Sequence, residues 1–96
     1  MKKAYWVTCY REITDRTRYA RYIALALPAI TAGGGSFLAR DVAALAYEEG
    51  LQDRTIIIEF PDLESARATH DGEAYGAALE ALGDGAVRDI RIVEGV

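Results

Sequence analysis

The segment Arg54-Thr55-Ile56-Ile57-Ile58-Glu59-Phe60, followed by Pro61-Asp62, decides the fold of this chain. Its β-branched and aromatic residues predict a strand, because such side chains pack well on a pleated surface. Pro61 has no N–H to donate to a sheet and ends the strand. Asp62 is a typical N-cap residue, so a helix is expected to begin at Leu63. A strand followed closely by a helix is therefore predicted in the second half of the chain.

Upstream of this segment, the sequence predicts a strand and a long helix. Residues 4–10 are mostly β-branched and aromatic, which favours a first strand. Asp15 is a candidate N-cap for a helix whose apolar residues recur at helical spacing. Pro28 cannot donate a hydrogen bond to the preceding turn, so we expect a kink or a restart there. The run Gly33-Gly34-Gly35 is expected to end the helix, since glycine adopts a left-handed cap without steric penalty.

The remaining segments complete an alternating order of strands and helices. Residues 36–40 are predicted as a short second strand, and residues 44–48 are expected to extend it or to pair with it. Asp71-Gly72 breaks the second helix. Residues 75–82 carry apolar side chains at i, i+3, i+4 and i+7, which predicts a third short helix, and residues 87–93 form the last strand. The order β-α-β-β-α-(α)-β is that of a ferredoxin-like α+β fold, an antiparallel sheet with helices on one face.

Length and composition limit the class of protein. The chain has 96 residues and a mass of 10.5 kDa, which suits a single domain over residues 1–96. Hydrophobic residues make up 51% and charged residues 27%, as in globular rather than disordered chains. A net charge of −4 without a cluster of Lys and Arg argues against nucleic acid and anionic membranes as partners. The longest apolar run, Ile23–Ile30, is too short to span a bilayer.

Cysteine usage and the first residues indicate the compartment. The single cysteine, Cys9, excludes internal disulfides and is expected to be an inert buried thiol. Met1-Lys2-Lys3 leads into a strand rather than into the apolar segment of a secretion signal, so a cytoplasmic location is expected. The acidic residues do not recur at the spacing of a ligand set, and the triple glycine lacks a following Gly-Lys-Ser/Thr. We therefore expect no metal and no cofactor.

Alternation along the strands divides the side chains between two sheet faces. The set expected to meet the helices comprises Tyr5, Val7, Cys9, Phe37, Ala39, Ile56, Ile58, Phe60, Ile90 and Ile92. The set expected on the opposite face comprises Trp6, Thr8, Tyr10, Leu38, Arg40, Thr55, Ile57, Glu59, Arg91 and Val93. The second set is too apolar to face open water, and no helix is left to cover it. A second copy of the chain is the simplest cover, so a homodimer is expected.

Five blocks of sequence, in the same order, resemble an uncharacterised family. The blocks are Tyr5-Trp6, the spacing Asp15…Tyr19…Tyr22, Gly34–Arg40, Ile57–Pro61 and Val93–Val96. Together they are similar to the domain-of-unknown-function family thirteen-thirty, and the resemblance extends over nearly the whole chain. That resemblance implies a dimeric α/β barrel, in which two ferredoxin-like sheets pack face to face. It also implies a pocket between each sheet and its helices.

The same resemblance sets expectations for activity. Relatives in the dimeric α/β barrel superfamily include cofactor-free monooxygenases, isomerases and haem-degrading enzymes, while the family itself has no agreed reaction. Where family members commonly carry Trp-Tyr-Asp-Ser-Pro-Glu-Tyr, this chain has Thr69-His70-Asp71-Gly72-Glu73-Ala74-Tyr75. Asp71 and Tyr75 match the pattern. His70 stands in place of an aromatic residue and adds a titratable ring.

Three residues are candidates for catalysis. His70 is the only histidine and could act as acid or base near neutral pH, although a satisfied structural histidine is the alternative. Arg40 and Glu59 are assigned to the same face and could form a ligand clamp or a structural ion pair. Glu59 lies among apolar neighbours and needs a cation, either Arg40 or another, because an unpaired buried carboxylate is costly.

Five further residues are candidates for ligand binding. Trp6, Thr8 and Tyr10 would form an amphipathic wall for a flat organic ligand, or else part of a dimer core. Tyr75 matches the family pattern. Arg91, like Arg40, could belong to a ligand clamp or to a structural ion pair.

Three functions stay open from the sequence. One is a small metal-free enzyme, of the isomerase or cofactor-independent monooxygenase type, acting on an apolar or aromatic organic acid. The second is a binding module that uses the same pocket without catalysis. The third is a haem-binding relative with His70 as axial ligand. Thr8 and Thr69 argue against the third, because haem-degrading relatives carry an Asn on the first strand and a Trp on the second helix.

Overall fold

A computed structural model describes residues 2–96 and gives the elements of the ferredoxin-like fold. The bounds are β1 (Ala4–Ile13), α1 (Arg16–Ala32), β2 (Ser36–Val42), β3 (Arg54–Phe60), α2 (Leu63–Asp71), α3 (Glu73–Leu82) and β4 (Ala86–Glu94). The strands form one antiparallel sheet in the order β2-β3-β1-β4. The predicted α+β class and order of elements are confirmed.

The helix starts follow the predicted capping residues. The Asp15 carboxylate accepts a hydrogen bond from the Arg18 backbone N–H at 3.0 Å, and Asp62 accepts one from the Ser65 N–H at 2.7 Å. The second bond lowers the pKa of Asp62, since it favours the ionised form. The restart expected at Pro28 is absent, because α1 continues as one helix to Ala32. Packing of the buried Ala26 and Ile30 on either side of the proline holds that last turn.

The connections around β2 differ from expectation. The strand runs on to Val42, and residues 44–48 belong to a loop (residues 43–53) rather than to a strand. The pairing of β2 with β3 shifts between Phe37 and Ala39, so that Phe37 lies opposite Ile58 and Ala39 opposite Ile57. Such a bulge inserts one unpaired residue and reverses the faces of everything that follows it.

Two faces of the sheet are clearly distinguished by burial. The face toward the helices, called the helix face below, carries the buried residues Ala4, Trp6, Thr8, Tyr10, Ile56, Ile58 and Phe60. The other face, called the open face, carries Tyr5, Val7, Cys9, Ala39, Thr55, Ile57, Glu59, Asp89, Arg91 and Val93. The predicted faces of β3 and of Ile90, Ile92, Arg91 and Val93 in β4 are confirmed by this register.

The predicted faces of β1 are wrong. Trp6 is 1% exposed and Tyr10 is 3% exposed on the helix face, whereas Val7 and Cys9 are only half-buried on the open face. Trp6 stacks on Phe60 with ring centroids 6.0 Å apart and meets Tyr75 edge-on at 4.9 Å. The covered side therefore takes the larger aromatic set, because these rings fill the volume between sheet and helices.

The predicted faces of Ala39 and Arg40 are also wrong. Ala39 pairs with Ile57 on the open face, and Arg40 pairs with the buried Ile56 on the helix face. The β2 bulge is the cause, since simple alternation from Phe37 would give the opposite result.

Candidate functional site

The candidate site is a small cleft between the helix face and α1. Its walls are mainly aromatic and aliphatic, and include Trp6, Tyr10, Tyr19, Tyr22, Ile23 and Phe37. Two arginines, Arg40 and Arg88, also line it. The enclosed volume is about 20 Å³, which is space for about one water molecule. Strand β2 is an edge of the sheet, and on its side of the cleft Phe37 is half-buried and Arg40 is exposed.

Arg88 lies at the centre of the polar part of this cleft. Its Nη1 donates hydrogen bonds to the hydroxyls of Tyr22 at 2.9 Å and Tyr10 at 3.1 Å, and its Nη2 donates to Tyr75 at 3.3 Å. The hydroxyls of Tyr22 and Tyr75 are 2.7 Å apart and share a further hydrogen bond. The Arg88 Cζ also lies 4.5 Å from the centroid of the Tyr22 ring. Three elements besides β4 thus hold one guanidinium.

The charge state of this cluster follows from burial. Burial raises the pKa of Tyr10 to about 12, although the nearby Arg88 opposes the shift. Burial also raises the pKa of Tyr22, with the neighbouring Tyr75 acting in the same direction. Burial by itself would lower the pKa of Arg88, but the oxygens of Tyr22 and Tyr75 outweigh it and the pKa is raised. At neutral pH the cluster is a guanidinium cation among neutral hydroxyls.

Arg88 has no anionic partner among residues 2–96. No Asp or Glu carboxylate lies within 4 Å of its nitrogens, since the ion pairs of the described chain all involve other cations. A half-buried cation with only neutral partners leaves positive charge for an anion to neutralise. The cleft therefore offers an anion-binding group beside an apolar wall.

Trp6 and Thr8 belong to the floor of the cleft. The indole Nε1 of Trp6 donates to the Thr8 Oγ1 at 2.9 Å, so the two polar groups satisfy each other. Both residues line the cleft, as does Tyr10. The sequence grouped these three together, and the structure places them together, on the helix face rather than the expected opposite face.

His70 lies outside the cleft, at the end of α2. Its ring is 5.3 Å from the rings of both Trp6 and Tyr75, and its Nδ1 is 3.0 Å from Asp71 Oδ1. Its side chain is 36% exposed, and it is absent from the residues that line the cleft. The predicted use of His70 together with Arg40 and Glu59 is not supported by this placement.

Arg40 and Glu59 do not meet. Arg40 lies on the helix face at the mouth of the cleft, with its Cζ 5.0 Å from the Phe37 ring centroid. Glu59 lies on the open face, where Lys3 Nζ is 3.2 Å from its Oε1 and the Tyr5 hydroxyl donates to its Oε2 at 3.3 Å. The expected cation for Glu59 exists, and it is Lys3 rather than Arg40.

The other predicted ligand-binding residues separate as well. Tyr75 is fully buried and joins the Arg88 cluster. Arg91 is on the open face, largely exposed, with its Nε 3.5 Å from Asp89 Oδ1. Of the predicted site residues, the structure therefore brings together Trp6, Thr8, Tyr10, Arg40 and Tyr75, and it leaves out His70, Glu59 and Arg91.

Three residues that line the cleft, Arg88, Tyr19 and Tyr22, are not among the site residues predicted from the sequence. A signal for Arg88 was present, because it precedes Ile90 by two residues and alternation puts it on the helix face. A charged residue on a buried face is unusual, so it can indicate a functional site. For Tyr19 and Tyr22 the signal is the spacing Asp15…Tyr19…Tyr22 that resembles the family. That spacing does not give the role of Tyr22, which depends on contacts between α1, α3 and β4.

Two broader properties of residues 2–96 bear on the site. No cluster of three or more His, Cys, Asp or Glu side chains that could hold a metal ion occurs among them. None of the helices in this part of the chain has the length and apolar character needed to cross a membrane. The cleft offers arginine, tyrosine and hydrocarbon groups.

Comparison with solved structures identifies proteins of similar fold. A protein of unknown function from Rhodopseudomonas palustris superposes with a TM-score of 0.75 at 14% identity, covering 99% of this chain and 83% of that one. SnoaB, a cofactor-independent oxygenase from Streptomyces nogalater, gives 0.69 at 11% identity, with coverage of 100% and 95%. A dimeric ferredoxin-like protein of unknown function from Thermobifida fusca gives 0.58 at 14% identity, with coverage of 98% and 92%.

Sequence comparison gives one family. The family model described as Domain of unknown function (DUF1330) matches residues 3–96. A search of curated proteins found no match. The structural likenesses are all under 25% identity and show the fold.

Proposed function

The chain belongs to the DUF1330 family, and we propose that this member is a homodimer that binds a small aromatic or apolar organic acid in the cleft under α1. The observation that carries the proposal is Arg88, a half-buried guanidinium held by three tyrosine hydroxyls with no carboxylate within 4 Å. A bound carboxylate would supply the missing negative charge. The aromatic and aliphatic walls suit the hydrocarbon part of such a ligand.

Ligand entry requires the cleft to widen, because its enclosed volume of about 20 Å³ is smaller than an aromatic ring. The side chains at the rim are suited to move: Tyr19, Leu27 and Phe37 are only half-buried, and Arg40 is exposed. The edge strand β2 lies beside them. We expect the acid to enter from this side and to displace these side chains from the Arg88 cluster outward.

Binding without catalysis is favoured by the groups that line the cleft. No His, Asp or Glu is among them, so no lining group provides an ordinary general base near neutral pH. Tyr10 and Tyr22 stay protonated because burial raises the pKa of each. They can donate hydrogen bonds to an anion, but they do not abstract protons at neutral pH.

A metal-free isomerase or monooxygenase is the second candidate function. The observation in its favour is that a cation and hydroxyl donors converge on one point, an arrangement that stabilises negative charge developing on a substrate oxygen. SnoaB, a cofactor-independent oxygenase, shares the fold. On this alternative, Arg88 with Tyr10 and Tyr22 would stabilise the oxyanion of a substrate that ionises readily by itself.

The ligand proposal is tested by calorimetric titration with benzoate and with its neutral isostere benzamide. Benzoate is expected to bind about tenfold or more tightly than benzamide, since a charge-assisted contact contributes about 1.5–3 kcal/mol. Arg88→Met should remove that preference. Arg21→Met, at an exposed arginine of α1 that does not line the cleft, is the matched control and should retain it. Equal binding of both probes, or an unchanged preference in Arg88→Met, contradicts the proposal.

The homodimer proposal is supported by the open face. The described chain is a flat slab of 36 × 32 × 15 Å with helices on one side only. Val7, Ile57 and Val93 remain partly or largely exposed on the other side, and the 43–53 loop adds the exposed side chains of Leu45 and Tyr47. Stable interfaces bury about 800 Å² per partner, and a face of this size can supply that area.

The test of the dimer is sedimentation equilibrium at micromolar concentration. The unmodified chain should sediment as a dimer, and Ile57→Lys should sediment as a monomer because it places a charge at the centre of the open face. Thr17→Lys, on the exposed outer side of α1, is the control and should remain dimeric. A monomeric unmodified chain overturns this part of the proposal.

A further inference from the structure

Three strands each place an arginine on the helix face at the same end of the sheet. Arg88 in β4 lies opposite Tyr10 in β1. Thr55 in β3 lies opposite Cys9, so the antiparallel register places Arg54 beside Tyr10 on its other side. Arg40 in β2 lies opposite Ile56, two residues further along the sheet from Arg54. We call these three residues the arginine row.

The spacing of the arginine row matches one small ligand. Arg54 and Arg88 lie on the two strands that flank β1, one on each side of Tyr10. Two inter-strand distances separate them, so their Cα atoms are about 10 Å apart. Arg40 lies on the strand next to Arg54, about 8 Å from it by the same strand geometry. Arginine side chains can extend over distances of this size. Arg40 and Arg88 line the cleft, and Arg54 lies beside the lining residues on the same face. Once the side chains at the rim have moved outward, the three guanidinium groups can reach a single molecule lying over Tyr10.

None of the three has an anionic partner among residues 2–96. No carboxylate lies within 4 Å of Arg40, Arg54 or Arg88. The Arg40 Cζ lies 5.0 Å from the centroid of the Phe37 ring, and the hydrogen bonds of the Arg88 guanidinium go to tyrosine hydroxyls. The Nε of Arg54 is buried and makes no hydrogen bond.

The unbonded Nε of Arg54 is the informative observation. A buried N–H donor without an acceptor is destabilising, and native structures contain few of them. Asp53 precedes Arg54 in the chain. Its carboxylate accepts a hydrogen bond from the backbone N–H of Arg54 at 2.7 Å, and not from the Arg54 guanidinium. An acceptor supplied from outside the chain would complete this position.

We propose that the ligand of the cleft is a dianion, with one acidic group against Arg88 and a second against Arg54 and Arg40. This inference rests on the proposed function, because it assigns a second recognition point to the same cleft. The Arg88 cluster holds the inner acidic group, and the other two arginines hold the outer one at the mouth, beside the edge strand β2. An aromatic ring or a chain of similar length separates the two groups and lies over Tyr10.

The experiment compares three probes of one shape and different charge: terephthalate, 4-carbamoylbenzoate and terephthalamide, titrated by calorimetry at pH 7.5. The dianion is expected to bind about tenfold more tightly than the monoanion, since each charge-assisted contact contributes about 1.5–3 kcal/mol. The monoanion should in turn bind more tightly than the neutral diamide.

Variants separate the two recognition points. Arg54→Met and Arg40→Met should reduce the advantage of the dianion over the monoanion and leave monoanion binding within about twofold, because the inner contact is intact. Arg54→Lys, which keeps the charge, should retain part of the advantage and guards against loss of folding in Arg54→Met. Arg21→Met, at an exposed arginine of α1 outside the cleft, should leave the affinities for all three probes unchanged.

The outcomes distinguish the two proposals. Equal affinity for dianion and monoanion, with binding of both dependent on Arg88, overturns the dianion inference and leaves the proposed function standing. A dianion advantage that survives in both Arg54→Met and Arg40→Met also overturns the inference. Failure of all three probes to bind, or binding independent of Arg88, overturns both the inference and the proposed function.

Discussion

The two faces of the sheet are built from alternate residues of the same strands, yet they differ in packing and in charge. On the helix face, Trp6, Tyr10 and Ile58 are almost fully buried, and the charged side chains of the cleft are all arginines. On the open face, Ile57 and Glu59 are half-buried. Its charges occur in opposite-sign pairs, as between Lys3 and Glu59.

This difference indicates different partners for the two faces. An excess of one charge sign beside an apolar wall suits a small ligand of the opposite sign. A face with both signs and intervening apolar side chains can be complementary to a copy of itself, as a twofold interface requires. The helix face is thus suited to an organic anion and the open face to a second chain.

The largest expected difference between the faces comes from adjacent residues of β3. Ile58→Ala should lower the free energy of unfolding by about 4 kcal/mol, because Ile58 is 1% exposed and its loss leaves a cavity in the core. Ile57→Ala removes the same atoms from the open face. In dilute, dissociated protein its cost should be about 1 kcal/mol, as measured by urea unfolding.

The variants Ile57→Ala and Ile58→Ala also test the dimer proposal. At protein concentrations where the dimer forms, the cost of Ile57→Ala should rise toward that of Ile58→Ala, because the partner covers Ile57. The difference between the two variants should therefore shrink with concentration. A cost of Ile57→Ala that does not depend on concentration would contradict burial of the open face by a second chain.

A pH titration tests the Arg88 cluster on the helix face. The pKa of Tyr10 is raised from its ordinary value of 10.0 to about 12, so folding favours the protonated hydroxyl. Its contribution to stability is complete below pH 10 and is lost as pH rises from 10 to about 12. Two pKa units correspond to about 3 kcal/mol.

The measurement is urea unfolding between pH 8 and pH 11. The stability difference between the unmodified chain and Tyr10→Phe should shrink as pH rises, because only the unmodified chain carries this hydroxyl. Tyr47→Phe, at a residue 75% exposed on the 43–53 loop, is the control and should show a constant difference. A Tyr10→Phe difference that stays constant with pH would show that Tyr10 is not held as a buried hydroxyl.

The smallest expected effect is that of Glu59→Gln on the open face. Its partner Lys3 is exposed, so the pair should contribute less than about 1 kcal/mol and should weaken with added salt. Glu64→Gln removes an exposed ion pair with Arg67, so it is the matched control for the loss of a surface ion pair. Ligand affinity should be unchanged, since Glu59 lies on the face away from the cleft. A loss of benzoate binding in Glu59→Gln would restore its predicted catalytic role.

Local patterns predicted much of the fold because their physical causes are local. The strand Arg54–Phe60, the caps at Asp15 and Asp62, and the inward direction of Ile90 follow from propensity, capping chemistry and alternation. The site was harder to predict. The titratable ring of His70 predicts an acid–base role, but the position of its helix end places that ring outside the cleft.

In β1, β3 and β4 alternation by itself determined which residues share a face, and tertiary structure decided which face is covered. In β1 both alternating sets are apolar, so nothing in the strand distinguishes Tyr5, Val7 and Cys9 from Trp6, Thr8 and Tyr10. The helices decide, because their packing leaves a volume that the larger rings fill.

Arg40 shows the same division of causes on β2. Its residue type marked it as a candidate from sequence, but the face it occupies depends on the bulge at Leu38, which follows from pairing with β3. The Arg88 cluster depends on tertiary structure even more than the position of Arg40 does. The sequence of β4 determines that residue 88 is an arginine and which face it shares with Ile90. Its hydrogen-bond partners come from β1, α1 and α3. Only long-range packing brings those hydroxyls to one cation, because hydrogen bonds act over about 3 Å and not along the chain.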